Sequence, residues 1–523
     1  MTGELAAERP ASDDEPRREL SLPRVVLAIL LVVGVVAGSV YAFDRTMSAA
    51  NAGPVDTTWF APYVDTTLTP ATQFQDTSAN PSKQAVLGFV VADPKSPCTP
   101  SWGAAYSLDG AARSLGLDRR MAQYRAQGGE PLVSFGGAAH SELAHVCTDV
   151  AKLTAAYESV VTRYRQTTVD VDVEGANLSD AAAAQRRASA LAAVQRTATA
   201  DGRPFSVWLT LPATTSGLQS DALGVVTAML DAGVRLAGVN VMTMNFGTPI
   251  DDMAGAVHSS LTSTHDQLRR VYAKYGVADS SAGTWSRLGA TVMIGQNDTD
   301  GEIFTIADAA PLIADATSWG LGRVSIWSLN RDEQCGGSYA VIGVHSDVCS
   351  GTAQTSLEFT RTFAALDGSA TAVEDVTPAV AASPTVVPDD PSTSPFPLWQ
   401  PNRPYETGYK VVRGGNVYQA KWYSQGQDPA AQSSDPSQSP WQLIGPVLPG
   451  ESPAPLPTVA PGTYPSWSST RTYRTGDRVL YHRLPYEARW YNVGTSPGAQ
   501  DADPASSPWK PLFDVAGEPT PSE

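Results

Sequence analysis

Acidic and aliphatic residues alternate strictly through TVDVDVE, from Thr168 to Glu174. In an extended strand this puts Asp170, Asp172 and Glu174 on one face and Val169, Val171 and Val173 on the other. The valine face suits packing against helices, so the acids point into a second enclosed space. A parallel barrel provides that geometry. A solvated sheet face and a calcium site are the competing readings, although no glycine-pivoted calcium loop follows the acids.

Seven other apolar runs read as strands: WFAPYV from Trp59, AVLGFVVA from Ala85, PLVSFGG from Pro131, FSVWLTL from Phe205, LAGVNVMTM from Leu236, LGATVMIG from Leu288 and RVSIWSL from Arg323. Helical patterns separate most of them. The clearest is SDAAAAQRRASALAAVQRTATA, with Ser179 as its expected N-cap. Eight strand-helix units over residues 57–366 predict an α/β fold, a (β/α)8 TIM barrel, with its site at the C-terminal strand ends. Glu174 stands at such an end, before Gly175.

After the barrel the chain turns to Pro, Ser, Thr and Ala without periodicity, predicting a linker over 367–397. Two small all-β modules follow, over 398–445 and 464–514, with a Pro-rich linker over 446–463 and a tail over 515–523. They repeat at a constant offset: Tyr405, Val411, Tyr418, Trp422, Tyr423 and Trp441 recur as Tyr473, Val479, Tyr486, Trp490, Tyr491 and Trp509. Neighbours on a strand face opposite ways, so one ring of each Trp-Tyr pair is expected to be exposed. An exposed flat ring suits the apolar face of a sugar; packing of every ring into a core is the alternative.

The uncharged run from Val25 to Phe43 is long enough to span a bilayer as a helix. Arg17, Arg18 and Arg24 precede it, predicting a cytoplasmic tail over 1–24 and everything beyond a spacer over 44–56 outside the cell membrane. Cleavage after Ala42 would instead give a secreted protein. An exported chain permits disulfides, and the spacing suggests Cys98 with Cys147 and Cys335 with Cys349. The net charge of −17 argues against nucleic acid and anionic lipid as partners, and is compatible with a neutral polysaccharide. The histidines, including His140 and His145, lack triad or metal-ligand spacing, and no nucleotide loop or zinc set occurs. No cofactor and no metal are expected, and the chain is expected to act as a monomer.

Residues 57–366 resemble glycoside hydrolase family 18, the chitinase family. TTVDVDVE sits where that family carries DxxDxDxE, SFGG from Ser134 matches its SxGG strand, and MTMN from Met242 matches a further segment. IWSLNRD from Ile326 puts Trp327 at the family's terminal-strand tryptophan, and FAPYVD and MIGQND resemble a bacterial branch. The resemblance implies that Glu174 is the general acid and that Asp172 orients the substrate's 2-acetamido group. Asp170 would be a buried partner sharing a proton with Asp172, and Trp327 the floor beneath the cleaved sugar. It further implies substrate contacts from Tyr63, Met242, Met244, Asn245, Phe246 and Gln296.

The repeats resemble chitin-binding modules of the carbohydrate-binding family 5/12 type, through AKWYSQG and ARWYNVG. That likeness implies stacking platforms at Trp422, Tyr423, Trp490 and Tyr491. The expected partner is therefore chitin or another N-acetylglucosamine polysaccharide, cleaved by a substrate-assisted, retaining route. Several departures count: Thr167 replaces the first motif acid, and Asn245 and Phe246 stand where relatives often have Asp and Tyr. Tyr63 is a candidate source of the missing hydroxyl. A weakly active surface adhesin and an endo-β-N-acetylglucosaminidase are the alternatives. The short stretch between the seventh and eighth strands predicts an open groove and internal cutting.

Overall fold

The computed structural model describes residues 58–77, 80–278, 280–336, 345–367, 389–431, 438–498 and 506–518. The apolar run Val25–Phe43 lies outside the described residues, as does most of the first linker. Among the described residues no helix is long and apolar enough to cross a membrane.

All eight expected strands form, and they close into a parallel barrel. They are β1 (Trp59–Phe60, resuming at Tyr63–Asp65), β2 (Gln84–Asp93), β3 (Glu130–Gly136), β4 (Thr168–Asp172), β5 (Ser206–Thr214), β6 (Leu236–Met242), β7 (Leu288–Met293) and β8 (Arg323–Trp327). Closure comes from β1, whose first half pairs with β8 at Trp59–Arg323 and whose second half pairs with β2 at Tyr63–Val86. Val169, Val171 and Val173 are fully buried in the main core, the environment the alternating pattern requires.

Two features decorate the rim. β2 turns back into an antiparallel strand, Ser96–Trp102, whose Cys98 is bonded to Cys147. A second disulfide joins Cys335 to Cys349. Between β7 and β8 the chain adds only the small hairpin Gly295–Gln296 with Ile303–Phe304 and the helix Ile306–Trp319. Beyond β4 a short helix, Gly175–Ser179, intervenes before the long helix Ala181–Ala200. Ser179 therefore ends one helix instead of capping the next. The cap is Asp180, whose carboxylate accepts from Ala183 N at 2.9 Å, three residues on, the reach an N-cap needs.

Past residue 389 the chain forms two small sheets of matching design. Lys410–Arg413, Asn416–Ala420 and Trp441–Pro446 make the first; Arg478–Tyr481, Leu484–Ala488 and Trp509–Pro511 make the second. Tyr405 packs edge-on against Trp441, as Tyr473 does against Trp509, so these repeated rings are core. Both members of each Trp-Tyr pair are exposed: Trp422 by 44%, Tyr423 by 52%, Trp490 by 43% and Tyr491 by 65%. Strand alternation does not govern them, because the strands end at Ala420 and Ala488 and each pair begins two residues later.

The first small sheet is docked on the barrel domain. Its strand Trp441–Pro446 lies along the helix Leu117–Ala126, and a Cβ on Gly445 would fall 2.6 Å from Arg119 O, so only glycine allows this approach. Arg119 grips Glu451 with both terminal nitrogens, at 2.9 and 2.5 Å, and donates to Pro446 O. The tail beyond the second sheet returns to the first, Lys410 N donating to Gly517 O at 2.7 Å. Replacing Arg119 with Ala removes the clasp on Glu451 and the donor to Pro446 O, at about 1–3 kcal/mol. Faster limited proteolysis of segment 448–462 than in the parent is the expected outcome, and an unchanged rate would contradict the docked arrangement.

Candidate active site

Asp170 is fully buried at the barrel's centre and accepts four hydrogen bonds from four strands. Tyr63 Oη of β1 donates at 2.9 Å, Ser134 Oγ of β3 at 2.7 Å, Thr210 Oγ1 of β5 at 2.7 Å and Arg323 Nη1 of β8 at 2.7 Å. Donors thus surround both oxygens of Asp170. Tyr63 spends its hydroxyl here, inside the barrel, and burial pushes that hydroxyl's pKa well up. It is not directed at an open groove.

Two residues along the same strand face, Asp172 is buried between Asp170 and Glu174. Burial, then the charges of Glu174 and Asp170, hold the Asp172 carboxyl well above its ordinary range. Its Oδ1 is buried without a partner among the described residues, an acceptor turned to the site. Glu174 lies beyond the end of β4 and is half-buried. Burial raises its pKa to about 7, its hydrogen bond with Asp172 pulling down and the Asp298 carboxylate pushing up. One proton shared by this pair at neutral pH is what general acid catalysis needs.

The SFGG segment serves this geometry through its glycines. At φ +101° Gly136 runs so close to β4 that a Cβ would sit 1.9 Å from Asp172 O. Gly137 leaves room for the ring of Phe89. Phe89 stacks on Trp327 with centroids 5.6 Å apart, and the peptide bonds Gly88–Phe89 and Trp327–Ser328 are cis. Met242, Met244 and Met293 form an apolar cluster against Trp327. Gln296 is buried, its amide donating to main-chain oxygens such as Asn297 O, and Phe246 packs partly against the core.

Asn245 has φ +52°, a left-handed conformation that Asn tolerates better than most residues. Its amide donates to Asp298 Oδ2 at 2.9 Å and its carbonyl accepts from Thr299 N at 3.2 Å. An acid at this position would face the Asp298 carboxylate, so the amide and Asp298 fit together as a pair. Sequence reading named none of Asp298, Phe89 and Arg323 as site residues, although Asp298 closes the MIGQND segment and Arg323 is a lone cation opening the apolar run RVSIWSL.

A parallel barrel whose fourth strand presents Asp170, Asp172 and Glu174 upward defines a glycoside hydrolase type of site. No protein-family model matches the chain. It is 32% identical over 303 residues to "Probable bifunctional chitinase/lysozyme" of Escherichia coli (strain K12), covering 55% of this chain and 33% of that protein. It is 32% identical over 304 residues to "Endochitinase 11" of Metarhizium anisopliae, covering 55% and 56%. The chain thus spans a third and about half the length of these curated relatives. Among solved structures, the catalytic domain of the hyperthermophilic chitinase from Pyrococcus furiosus superposes with a TM-score of 0.52 at 26% identity, covering 61% of this chain and 97% of that one. The barrel accordingly shares the fold of a chitinase catalytic domain and the make-up of a glycoside hydrolase.

Two outcomes are expected. Gly136→Ala should cost about 2–5 kcal/mol, from forcing a side chain into a left-handed, backbone-crowded position, read by thermal unfolding. Glu174, an acid raised from 4.5 to about 7, costs the fold stability as pH climbs through that window. Glu174→Gln should therefore melt above the parent at pH 8, with the gain shrinking toward pH 4. A pH-independent difference would contradict the raised value.

Proposed function

We propose that the chain is a chitinase, hydrolysing β-1,4-linked N-acetylglucosamine polymer with retention of configuration. One observation carries this reading: Asp172 and Glu174 are neighbouring acids both held above the ordinary carboxylate range, set above an Asp170 carboxylate tied down by four donors. Glu174 gives its proton to the glycosidic oxygen as the bond to the anomeric carbon breaks. The substrate's own acetamido oxygen closes on that carbon, and Asp172 accepts from the acetamido N–H and stabilises the positive charge that develops there. Glu174, now ionised, takes a proton from the water that reopens the ring. The Phe89–Trp327 stack and the methionine cluster supply the apolar floor under the distorted sugar.

The absence of a long segment between β7 and β8 favours an open groove and cleavage within the polymer. The exposed pairs Trp422–Tyr423 and Trp490–Tyr491 suit stacking on chitin. Burial of Tyr63 and the amide at Asn245 favour a second reading, a weakly active chitin-binding adhesin. The N-terminal run Val25–Phe43 is proposed as its membrane anchor in either case.

Hydrolysis of soluble chitin oligosaccharides by the full-length chain, beside Glu174→Gln, tests the two. Turnover lost at least about 10²-fold in the mutant, with binding to insoluble chitin kept in both, supports the enzyme. No turnover in either, with binding intact, supports the adhesin. Asp298 faces Glu174 and raises its pKa, so Asp298→Asn should move the alkaline limb of kcat/KM to lower pH; a limb that stays or rises would refute that role.

A further inference from the structure

Arg323 opens β8 on the barrel's inside, fully buried, and among the described residues its one ion-pair partner is Asp170. Nε donates to Ser325 Oγ at 2.8 Å and Nη1 to Asp170 Oδ1 at 2.7 Å, while Nη2 has no acceptor. The guanidinium carbon lies 5.3 Å from the ring centres of Trp59 and Tyr63 and 5.8 Å from that of Trp208. Aromatic walls therefore fix the cation from below while its fork engages the acid above. A full charge kept in a dry barrel centre is expensive unless it is paired, and here the pairing runs to a carboxylate of the reacting set.

We propose that Arg323 is a positioning residue for the cleavage: it holds Asp170 as a fixed anion and so confines the site's mobile proton to Asp172 and Glu174. This rests on the reading of Glu174 as the acid. The groups facing the cluster are Tyr63 from β1, Asp170 and Asp172 from β4, Arg323 from β8, and Glu174 and Asp298 at the rim. With Arg323 present, the barrel centre holds a neutral Arg–Asp unit, and one proton serves the remaining pair. Without it, three carboxyls crowd a dry space with no cation, and they must hold one further proton between them. That proton lands on Asp170, breaks its fork with the strands, and loosens the support under Asp172. Arg323 touches no substrate, so the loss falls on the chemical step and not on binding.

The test uses the full-length chain with Arg323→Met and Arg323→Lys, read in two ways. Infrared titration of protonated carboxyls needs no turnover. It should reveal one additional protonated carboxyl at neutral pH in Arg323→Met, removed by adding Asp170→Asn, and none in Arg323→Lys. Oligosaccharide kinetics should give a kcat lower by about 10²-fold in Arg323→Met with KM unchanged, an acidic limb moved to higher pH, and partial recovery in Arg323→Lys. A folded Arg323→Met with the parent's carboxyl titration, or Arg323→Lys gaining the same extra proton, overturns the proposal. Should Arg323→Met fail to fold, Arg323→Gln takes its place, and a folded Arg323→Gln with the parent's carboxyl titration overturns the proposal. If the parent itself has no turnover, the chitinase reading fails, while the infrared arm still decides the role of Arg323.

Discussion

Four strands of the barrel reach one carboxylate. Asp170 receives Tyr63, Ser134, Thr210 and Arg323 from β1, β3, β5 and β8, so a single buried anion ties the barrel across its diameter. Hydrogen bonds to a charged acceptor are stronger than those between neutral groups, and buried at the barrel's centre they are shielded from bulk solvent. The strand that carries Asp170 is thereby set in register, and Asp172 and Glu174 inherit their heights from it. The Asp172–Glu174 pair is placed by the same contact that ties the strands together.

The fold was legible because its signals are local. A strict alternation of acids and valines, seven further apolar runs and helical spacing between them are enough to imply eight units in order. The carboxylate set was legible for the same reason, since period two leaves Asp170, Asp172 and Glu174 no choice of face. What escaped is contact between distant segments. Asp298 meets Asn245 across 53 positions and Arg323 meets Asp170 across 153, and no spacing rule predicts either. The cap at Asp180 and the paired exposure of Trp422 and Tyr423 escaped for a smaller reason. Both hinge on where an element stops, and strand or helix ends move by a residue or two with little change in the pattern.

The substitution at Asn245 looks different once its neighbour is known. Considered alone, it removes a charge from a position where relatives often have one. Beside Asp298 it supplies a donor to that carboxylate and an acceptor for Thr299, in a left-handed conformation suited to Asn. A negative charge stands one loop over, at Asp298, within electrostatic reach of Glu174.

The contact between Gly445 and Arg119 has a consequence for how the molecule meets a solid. A flexible string sets only how far a catalytic body can wander from its point of attachment. A strand pressed on a helix, with an arginine clasp beside it, also sets direction. If Trp422 and Tyr423 rest on a flat face, as proposed, that face would dictate the side from which the barrel comes down. On a crystalline surface such a joint would turn the choice of facet into a choice of which chains the barrel can reach.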